Sequence, residues 1–283
     1  MSQDHGRRER PPAPEPLAAP IVDAHTHLDA AVGTTPKDVR AAMDRAEAVG
    51  VRAAVTVADD LVSARWVTEA ADWDPRVVAA VALHPTRAGA LDDPARAEIA
   101  TLAAGARVVA VGETGLDYYW PGRMEGCATP AEQREAFAWH IDLAKRLGKP
   151  LMIHDRDAHD DVLAVLAAEG APDTVIFHCF SGDAALARAC AEAGYHMSFA
   201  GPVTFRNARE LREAAALAPD ELLLVETDAP YLTPHPHRGR ANEPYCLPWT
   251  LRGLAEVRGV AEEPLADTVR ENAERVFRLA ELS

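Results

Sequence analysis

The apolar positions of this chain fall into two patterns that alternate along its length. Eight short runs, rich in Val, Ile and Leu, are apolar on both faces, which is typical of strands buried in a parallel sheet. These eight runs cover Pro20–Ala24, Val51–Val57, Val77–Leu83, Arg107–Val111, Leu151–Ile153, Thr174–Phe177, Tyr195–Phe199 and Leu222–Val225.

Between these runs, apolar residues recur at the spacing of amphipathic helices. The clearest sets are Val39, Ala42, Met43, Ala46 and Val49; then Phe137, His140, Ile141, Ala144 and Leu147; and last Leu265, Val269, Val276, Phe277 and Ala280. Eight strands that alternate with helices predict a TIM-type (β/α)8 barrel, an α/β fold in one domain over residues 21–283. An open doubly wound sheet is the rival, but no GxGxxG motif follows the first run to favour its nucleotide-binding version.

Composition narrows the class of protein. Hydrophobic residues make up 48% and charged residues 26% of the 283 residues, as in soluble globular proteins. No apolar run reaches the ~20 residues of a membrane span. Residues 1–20 hold five of the 21 prolines and no apolar segment of a signal peptide, so we expect a flexible leader. The four cysteines form no CxxC pair, which favours a reducing cytoplasm over a disulfide framework.

The charge balance bears on possible partners. Lys and Arg number 29 against 44 Asp and Glu, which leaves a net charge of −15. Proteins that hold duplex DNA electrostatically usually carry a basic footprint, and this chain has none overall. A phosphate ligand would therefore need a local source of positive charge, such as bound metal ions.

A barrel of this type carries its functional residues at the carboxyl ends of its strands. In this sequence, six of the predicted strand ends carry polar residues that suit metal binding: His25 and His27, His84, Glu113, His154, His178 and Asp228. Taken singly, each has an ordinary explanation, since a His after a strand often hydrogen-bonds a loop and an Asp often caps a helix. Together they favour a divalent metal site at one end of the barrel.

The number of candidate ligands indicates two ions. One open catalytic zinc needs about three protein ligands, and six are present without counting His84. We expect one ion on His25, His27 and Asp228, a second on His154 and His178, and Glu113 as a carboxylate that bridges them. Two such ions would leave the pocket positive and able to attract a phosphodiester.

Five segments of the chain resemble motifs of the TatD family of metal-dependent hydrolases. Residues 21–29 (IVDAHTHLD), 150–160 (PLMIHDRDAHD) and 223–232 (LLVETDAPYL) resemble its three signatures. Residues 111–118 (VGETGLDY) and 178–182 (HCFSG) also look like family motifs, and the match runs in order over residues 21–280. The resemblance implies a Mg-, Mn- or Zn-dependent 3′-to-5′ exodeoxyribonuclease on single-stranded DNA, sometimes RNA. It places the family's ligands on the same six residues.

For such a reaction we expect a metal-activated water to attack the phosphorus, with catalytic roles for three carboxylates. Asp228 is the candidate general base and Glu113 the bridging ligand, while Glu226 lies on the same face as Asp228 and could hydrogen-bond a ligand or His84. Substrate contacts are expected from residues near the mouth, where Arg suits phosphate and Tyr can stack on a base: His84, Arg156, Arg206, Tyr231 and Arg238. Surface ion pairs are the ordinary explanation for the arginines.

Two alternatives belong to other function classes. An amidohydrolase-type enzyme could cleave a small phosphoester, an amide or an aminoacyl ester, but many such barrels bridge their ions with a carboxylated lysine, and Val108–Leu116 contains no lysine. A metal-stabilised binding module is disfavoured because structural metal sites are closed and need few ligands. The native metal, the polarity of digestion, the preference for DNA or RNA and the oligomeric state stay open, and no obligate protein partner is implied.

Overall fold

The computed structural model describes residues 9–282, and its strands form one parallel sheet of eight members in chain order. The strands are β1 (Ile21–Thr26), β2 (Val51–Val57), β3 (Val77–Ala80), β4 (Val108–Asp117), β5 (Leu151–Arg156), β6 (Val175–Phe177), β7 (His196–Phe199) and β8 (Leu223–Val225). Just beyond β8, the N–H of Asp228 donates to the His25 carbonyl at 3.0 Å and His27 N–H donates to the Ala229 carbonyl at 2.7 Å. The chain thus returns to β1, and the predicted (β/α)8 barrel is confirmed.

Ten α-helices surround the strands in the described part of the chain. They are α1 (Leu28–Ala31), α2 (Pro36–Glu47), α3 (Leu61–Ala70), α4 (Asp93–Ala103), α5 (Pro130–Leu147), α6 (His159–Glu169), α7 (Ala184–Ala193), α8 (Arg209–Leu217), α9 (Leu247–Arg258) and α10 (Glu262–Val276). Capping boxes at Thr35, Asp60 and Thr129 begin α2, α3 and α5 by satisfying backbone N–H groups that the first helical turn leaves free. The three predicted helices are confirmed, although the first ends at Glu47, before Val49, and the last ends at Val276, before Phe277 and Ala280.

Strand lengths differ from the prediction where the site is built. The predicted fourth strand ends at Val111, but β4 continues to Asp117 because it stays paired with β5 through Thr114–Ile153 and Asp117–Arg156. Glycine makes this close pairing possible: Gly115 has a φ of +131°, and a Cβ there would lie 2.2 Å from the His154 carbonyl oxygen. Glu113 and His154 are therefore strand residues rather than loop residues.

The core has two parts. The larger lies between the strands and the helices and includes Val51, Phe177 and Leu143. The smaller fills the barrel interior with residues from around the sheet, such as Val55 and Ile176, and the end of α10 packs against it. A fully buried side chain of this kind contributes about 1.5–3 kcal/mol relative to an exposed one. This packing makes the barrel a rigid frame for the residues at its rim.

The structure packs part of the predicted leader against the barrel. Leu17 N–H donates to the Val49 carbonyl at 3.2 Å, and the Tyr245 hydroxyl donates to the Pro11 carbonyl at 2.8 Å. Leu17 and Ala19 are buried in the larger part of the core, between the strands and the helices. These contacts differ from the flexibility expected for residues 9–20, because the apolar residues of this segment have a surface to cover. The rest of the leader, residues 1–8, lies outside the described residues.

Within residues 9–282, no helix combines the length and the apolar character that a bilayer crossing requires.

Candidate metal centre

His25 and His27 meet at the end of β1. Their Nε2 atoms lie 3.2 Å apart, and both side chains are buried. Nδ1 of His27 donates to the Val57 carbonyl at 3.2 Å, and Nδ1 of His25 faces the Met152 sulfur at 3.1 Å. Because each Nδ1 faces an acceptor, the neutral form of each imidazole carries its proton on Nδ1 and directs the lone pair of Nε2 into the site. The predicted convergence of these two imidazoles is present.

Glu113 of β4 lies between two groups of histidines. Its Oε1 is 3.7 Å from Nε2 of His25 and 3.5 Å from Nε2 of His27. Its Oε2 is 2.8 Å from Nε2 of His178 and 3.3 Å from Nδ1 of His154. One carboxylate thus offers a separate oxygen to each group, which is the arrangement that a bridging ligand requires.

Asp228 completes the first group. Its Oδ1 lies 3.8 Å from Nε2 of His25 and 3.7 Å from Nε2 of His27. Asp228 has a φ of 51°, in the left-handed region that residues other than glycine seldom adopt. Cys179, which follows His178, has a φ of 40°. Such conformations cost about 1–3 kcal/mol and cluster at functional sites, where the surrounding structure holds them.

The second group is held by two further carboxylates. Oδ2 of Asp117 lies 3.0 Å from Nε2 of His154, and Oε1 of Glu226 lies 3.2 Å from Nδ1 of His178. Glu226 also accepts from the Cys179 N–H at 2.8 Å. A carboxylate behind a metal-ligating His fixes its orientation and tautomer. Glu226 thus contacts a candidate ligand, one of the two partners expected for it, and no hydrogen bond to His84 is present among the described residues.

The donor set fits divalent metal ions. Oε2 of Glu113 is buried and has no hydrogen-bond partner in residues 9–282, despite the short distance to His178. Ligand atoms lie within 4.8 Å of one another in three sets drawn from the six candidates: His25, His27 and Glu113; Glu113, His154 and His178; and His25, His178 and Asp228. Imidazoles mixed with carboxylates suit Zn, Mn or Fe. The orphaned oxygen and the converging nitrogens therefore fit cations better than they fit a hydrogen-bonded network.

The protonation states agree with this assignment for two central groups. Burial acts to raise the pKa of Glu113, but the charges of His178 and the other imidazoles hold it well below its ordinary value. Burial, together with the charge of His178, lowers the pKa of His25 well below its ordinary value. Glu113 is thus ionised and His25 neutral, which are the states in which these side chains bind metal. Burial acts to lower the pKa values of His27 and His178, but the nearby carboxylates raise the first to about 10 and the second well above its ordinary value, so these two imidazoles must release a proton to bind an ion.

The expected substrate contacts divide into two sets. The His84 ring lies edge-on to His154 with 4.4 Å between centroids, and the Tyr231 ring lies edge-on to His27 at 5.9 Å. Arg156 is exposed at the end of β5. By contrast, the Arg238 guanidinium stacks on Phe205 at 4.2 Å, and neither Arg206 nor Arg238 contacts any of the six candidate ligands in the described part of the chain. Their predicted role in binding substrate gains no support from a contact at the centre.

Two carboxylates without a predicted role also lie at this centre. Asp117 is the last residue of β4, and Asp59 follows β2, with its Oδ1 3.7 Å from Nδ1 of His27. Both were detectable in principle, because each is the acidic residue at the carboxyl end of a strand. His84 and Asp117 also form a group with His154 whose ligand atoms lie within 4.8 Å of one another.

Comparison with known proteins agrees with the site. A family model described as TatD related DNase matches residues 22–278. A relative from Mycobacterium tuberculosis, named an uncharacterized metal-dependent hydrolase TatD, is 67% identical over 259 residues, or 92% of this chain and 98% of the relative. A relative from Pectobacterium atrosepticum, named a 3′-5′ ssDNA/RNA exonuclease TatD, is 38% identical over 70% of this chain and 76% of its own.

Among solved structures, the TatD homologue YJJV from Escherichia coli K12 is similar to this chain with a TM-score of 0.82 and 28% identity. The match covers 91% of this chain and 98% of the homologue. With the family match over most of its length and a relative at 67% identity, this chain belongs to the TatD family of metal-dependent hydrolases.

Proposed function

We propose that the protein is an exonuclease that hydrolyses the phosphodiester bonds of single-stranded DNA from the 3′ end with two divalent cations. The observation that carries the proposal is the position of Glu113, whose Oε1 faces His25 and His27 and whose Oε2 faces His154 and His178. The relatives from Pectobacterium atrosepticum and Yersinia pseudotuberculosis, named 3′-5′ ssDNA/RNA exonucleases at 38% and 35% identity, support the class of substrate.

Each ion has its own set of candidate ligands. The first set is His25, His27 and Asp228, the second is His154 and His178, and Glu113 belongs to both. Bound there, Mg, Mn or Zn ions would lower the pKa of a water molecule and neutralise negative charge on the phosphate. The two metal ions would also supply the local positive charge that a chain of net charge −15 needs in order to hold a nucleic acid.

Three carboxylates have separate roles in the proposed reaction. Asp228 turns Oδ1 towards His25 and His27, so its Oδ2 is the candidate acceptor for the proton of the attacking water. Glu226 and Asp117 do not reach the reacting atoms in this proposal, because each is occupied with the far nitrogen of a ligating histidine. They orient His178 and His154. We therefore assign Glu226 a positioning role.

Two side chains at the mouth are suited to hold the substrate. Tyr231 is 44% exposed beside His27, where its ring can stack on a base. Burial and the neighbouring His154 lower the pKa of His84 to about 3, so its imidazole is neutral at physiological pH and can hydrogen-bond a phosphate oxygen without carrying charge.

The test combines metal analysis with cleavage assays on the purified full chain. We expect about two equivalents of divalent metal per chain, and release of mononucleotides from single-stranded DNA with a 5′ label retained on the shortening product. Duplex DNA, RNA, a small phosphodiester and an aminoacyl ester serve as the competing substrates. Chelator should abolish hydrolysis, and added metal should restore it.

The outcomes separate the proposed function from its rivals. Release that begins at the 5′ end, or cleavage within the strand, would refute the stated polarity. Hydrolysis confined to the small phosphodiester or the aminoacyl ester would refute the nuclease assignment and leave an amidohydrolase-type enzyme. Bound metal without hydrolysis of any substrate would leave a binding role.

A further inference from the structure

Beside the metal centre lies a cluster of two aromatic rings and two arginines, one of which is Arg123 at 4.7 Å from the centre of the Tyr119 ring. Tyr119 and Trp120 follow the end of β4, and their rings meet edge-on with 5.0 Å between centroids. The Arg156 guanidinium stacks on Tyr119 at 3.9 Å and lies 5.6 Å from the Trp120 ring. A cation held over an aromatic face in this way is attracted by the electrons of the ring. The cluster therefore fixes an arginine head group at the mouth of the barrel.

The charge of Arg156 is not neutralised. Within residues 9–282, no carboxylate lies within 4.0 Å of its side-chain nitrogens, and the residue is exposed. Arg134, on the neighbouring helix α5, is different because it pairs with Asp161 at 3.0 Å. A guanidinium that is held over an aromatic ring, exposed and without a carboxylate partner can bind an anion such as phosphate.

This cluster is joined to a metal-ligand candidate through Asp117. Oδ1 of Asp117 accepts from the N–H groups of Tyr119 and Trp120, each at 3.0 Å, while its Oδ2 faces His154 at 3.0 Å. Gln133 holds the backbone of Asp117 on both sides, accepting its N–H at 2.7 Å and donating to its carbonyl at 2.9 Å. The loop of Tyr119 and Trp120 and the candidate ligand His154 therefore share the Asp117 carboxylate, which connects the loop to the metal centre.

Arg156 is held beside this loop by the neighbouring strand β5. Its backbone pairs with Asp117 across β4 and β5, and its carbonyl accepts from the Tyr118 N–H at 2.9 Å. It also follows His154 by two residues, so both side chains leave β5 on the same face. A phosphate on Arg156 would thus lie next to the metal centre rather than at a distant part of the surface.

We propose that Tyr119, Trp120 and Arg156 form a subsite that binds one unpaired nucleotide next to the scissile phosphate. In this subsite Arg156 binds the phosphate, Trp120 stacks on the base, and Tyr119 is a positioning residue that holds the Arg156 guanidinium. The proposal rests on the proposed nuclease function and adds the feature that selects single strands. A base in a duplex has both faces covered by its neighbours, whereas an unpaired base can stack on an indole.

The test uses Trp120→Ala and Arg156→Ala in the full chain. Binding of a 5′-fluorescein-labelled single-stranded oligonucleotide is followed by anisotropy, and KM is measured on the same oligonucleotide. We expect each variant to weaken binding and raise KM about tenfold, the scale of one stacked base or one lost phosphate contact. An oligonucleotide with abasic residues at its 3′ end has no base to stack on Trp120. The wild type should therefore bind it as weakly as Trp120→Ala binds the normal oligonucleotide. Trp120→Ala itself should bind both oligonucleotides with the same affinity.

Matched variants separate recognition from folding. Arg146→Ala removes the same charge from the exposed surface of α5, where Arg146 pairs with Asp142 at 2.8 Å, and should bind DNA like the wild type. Tyr119→Phe keeps the ring and should also keep the affinity, whereas Tyr119→Leu should behave like Arg156→Ala. A loss in Tyr119→Phe equal to that in Tyr119→Leu would overturn the positioning role.

The failure of the subsite and the failure of the nuclease function give different results. If the wild type degrades single-stranded DNA and both alanine variants match it in affinity and KM, the subsite is refuted and the nuclease stands. If the wild type binds single-stranded DNA without degrading it, the nuclease fails, and a tenfold loss of binding in Trp120→Ala still supports the subsite. If the wild type does not bind single-stranded DNA, both are refuted.

Discussion

Glu113 and His178 approach each other more closely than any other ionisable pair among the six candidate ligands of residues 9–282, with Oε2 of Glu113 2.8 Å from Nε2 of His178. The other oxygen of the same carboxylate faces His27 at 3.5 Å. A single side chain from the middle of β4 therefore connects the histidine groups that β1 and β6 carry to the mouth of the barrel.

Replacing Glu113 should remove the connection between the two proposed ion sites. We expect Glu113→Gln to bind fewer than two divalent ions per chain and to lose at least about 100-fold in kcat, because a neutral amide is a poor substitute for an anionic bridge. Metal analysis and hydrolysis of single-stranded DNA check this. The control is Glu98→Gln on α4, which removes a charge from an exposed pair with Arg65. Full activity in Glu113→Ala would disprove the bridging role.

Asp117 should act on metal affinity through His154. In Asp117→Asn the partner of Nε2 at 3.0 Å loses its charge, and such changes behind a metal-ligating His cost about 10–100-fold in affinity or activity. Titration of apoprotein with Zn²⁺ or Mn²⁺ against a competing chelator measures the effect. Asp161→Asn, which alters an exposed contact with Arg134, is the control and should bind metal like the wild type. Equal affinity in both variants would contradict the positioning role of Asp117.

Asp228 is expected to carry both a ligand oxygen and the proton acceptor. Asp228→Asn keeps the size and one coordinating oxygen but removes the base, so kcat should fall by about 10²–10⁴. Hydrolysis rates are compared at saturating metal, with metal content measured on the same samples. Near wild-type hydrolysis with metal retained would show that another group accepts the proton.

We expect His140, which is not a candidate metal ligand, to make the folded chain less stable at acid pH. It is fully buried, its Nδ1 donates to the Ala136 carbonyl at 2.7 Å, and its Nε2 accepts from the Leu83 N–H at 3.3 Å. Burial lowers its pKa to about 4 in the folded chain. The unfolded chain, with an ordinary pKa of about 6.5, binds the proton first, so stability falls as the pH drops from about 6.5 to about 4.

The size of this acid effect is on the order of 3 kcal/mol in the free energy of unfolding. Urea unfolding of the wild type and His140→Gln at several pH values between 7 and 4 measures it. The wild type should lose more stability than the variant over this range, because Gln has no proton to bind. Parallel stability curves would show that His140 does not contribute to acid sensitivity.

We expect the ion pairs of Glu243 to stabilise the folded chain and the packing of the segment before β1. The Glu243 side chain is 3% exposed and is paired with both Arg10 and Arg45, with Arg45 Nε 3.0 Å from Oε2. Arg45→Ala should lower the free energy of unfolding by about 1.5–3 kcal/mol, the scale of a hydrogen bond to a charged group. Arg52→Ala, which breaks a more exposed pair with Glu274, should cost no more than about 1 kcal/mol. Equal losses in urea unfolding would contradict this role.

Much of the centre could be predicted from the chain alone because its signals are local. The pair His25 and His27 stands two residues apart at the end of an apolar run, and each of the other candidate ligands follows or ends a run of its own. The barrel rule then places all of these ends at one rim. The structure brings the six predicted ligands together, and their assignment to particular ions remains a prediction.

Other features were missed because they depend on pairings across the barrel. The predicted fourth strand ends at Val111, while β4 continues through residues 112–117 because of its pairing with β5. Asp117 and His154 are 37 residues apart in the chain, and Arg45 and Glu243 are 198 apart. No periodicity records such contacts.

The order of residues along the chain is enough to predict the alternation of strands and helices and the chemistry at each strand end, since both follow from the side chains of a few consecutive residues. The folded chain was needed to find which oxygen of Glu113 faces which histidines, that Asp117 joins His154 to the loop of Tyr119 and Trp120, and that residues 9–20 pack on the barrel. Closing the sheet sets the distances between residues from different strands, and those distances have no counterpart in the order of residues along the chain.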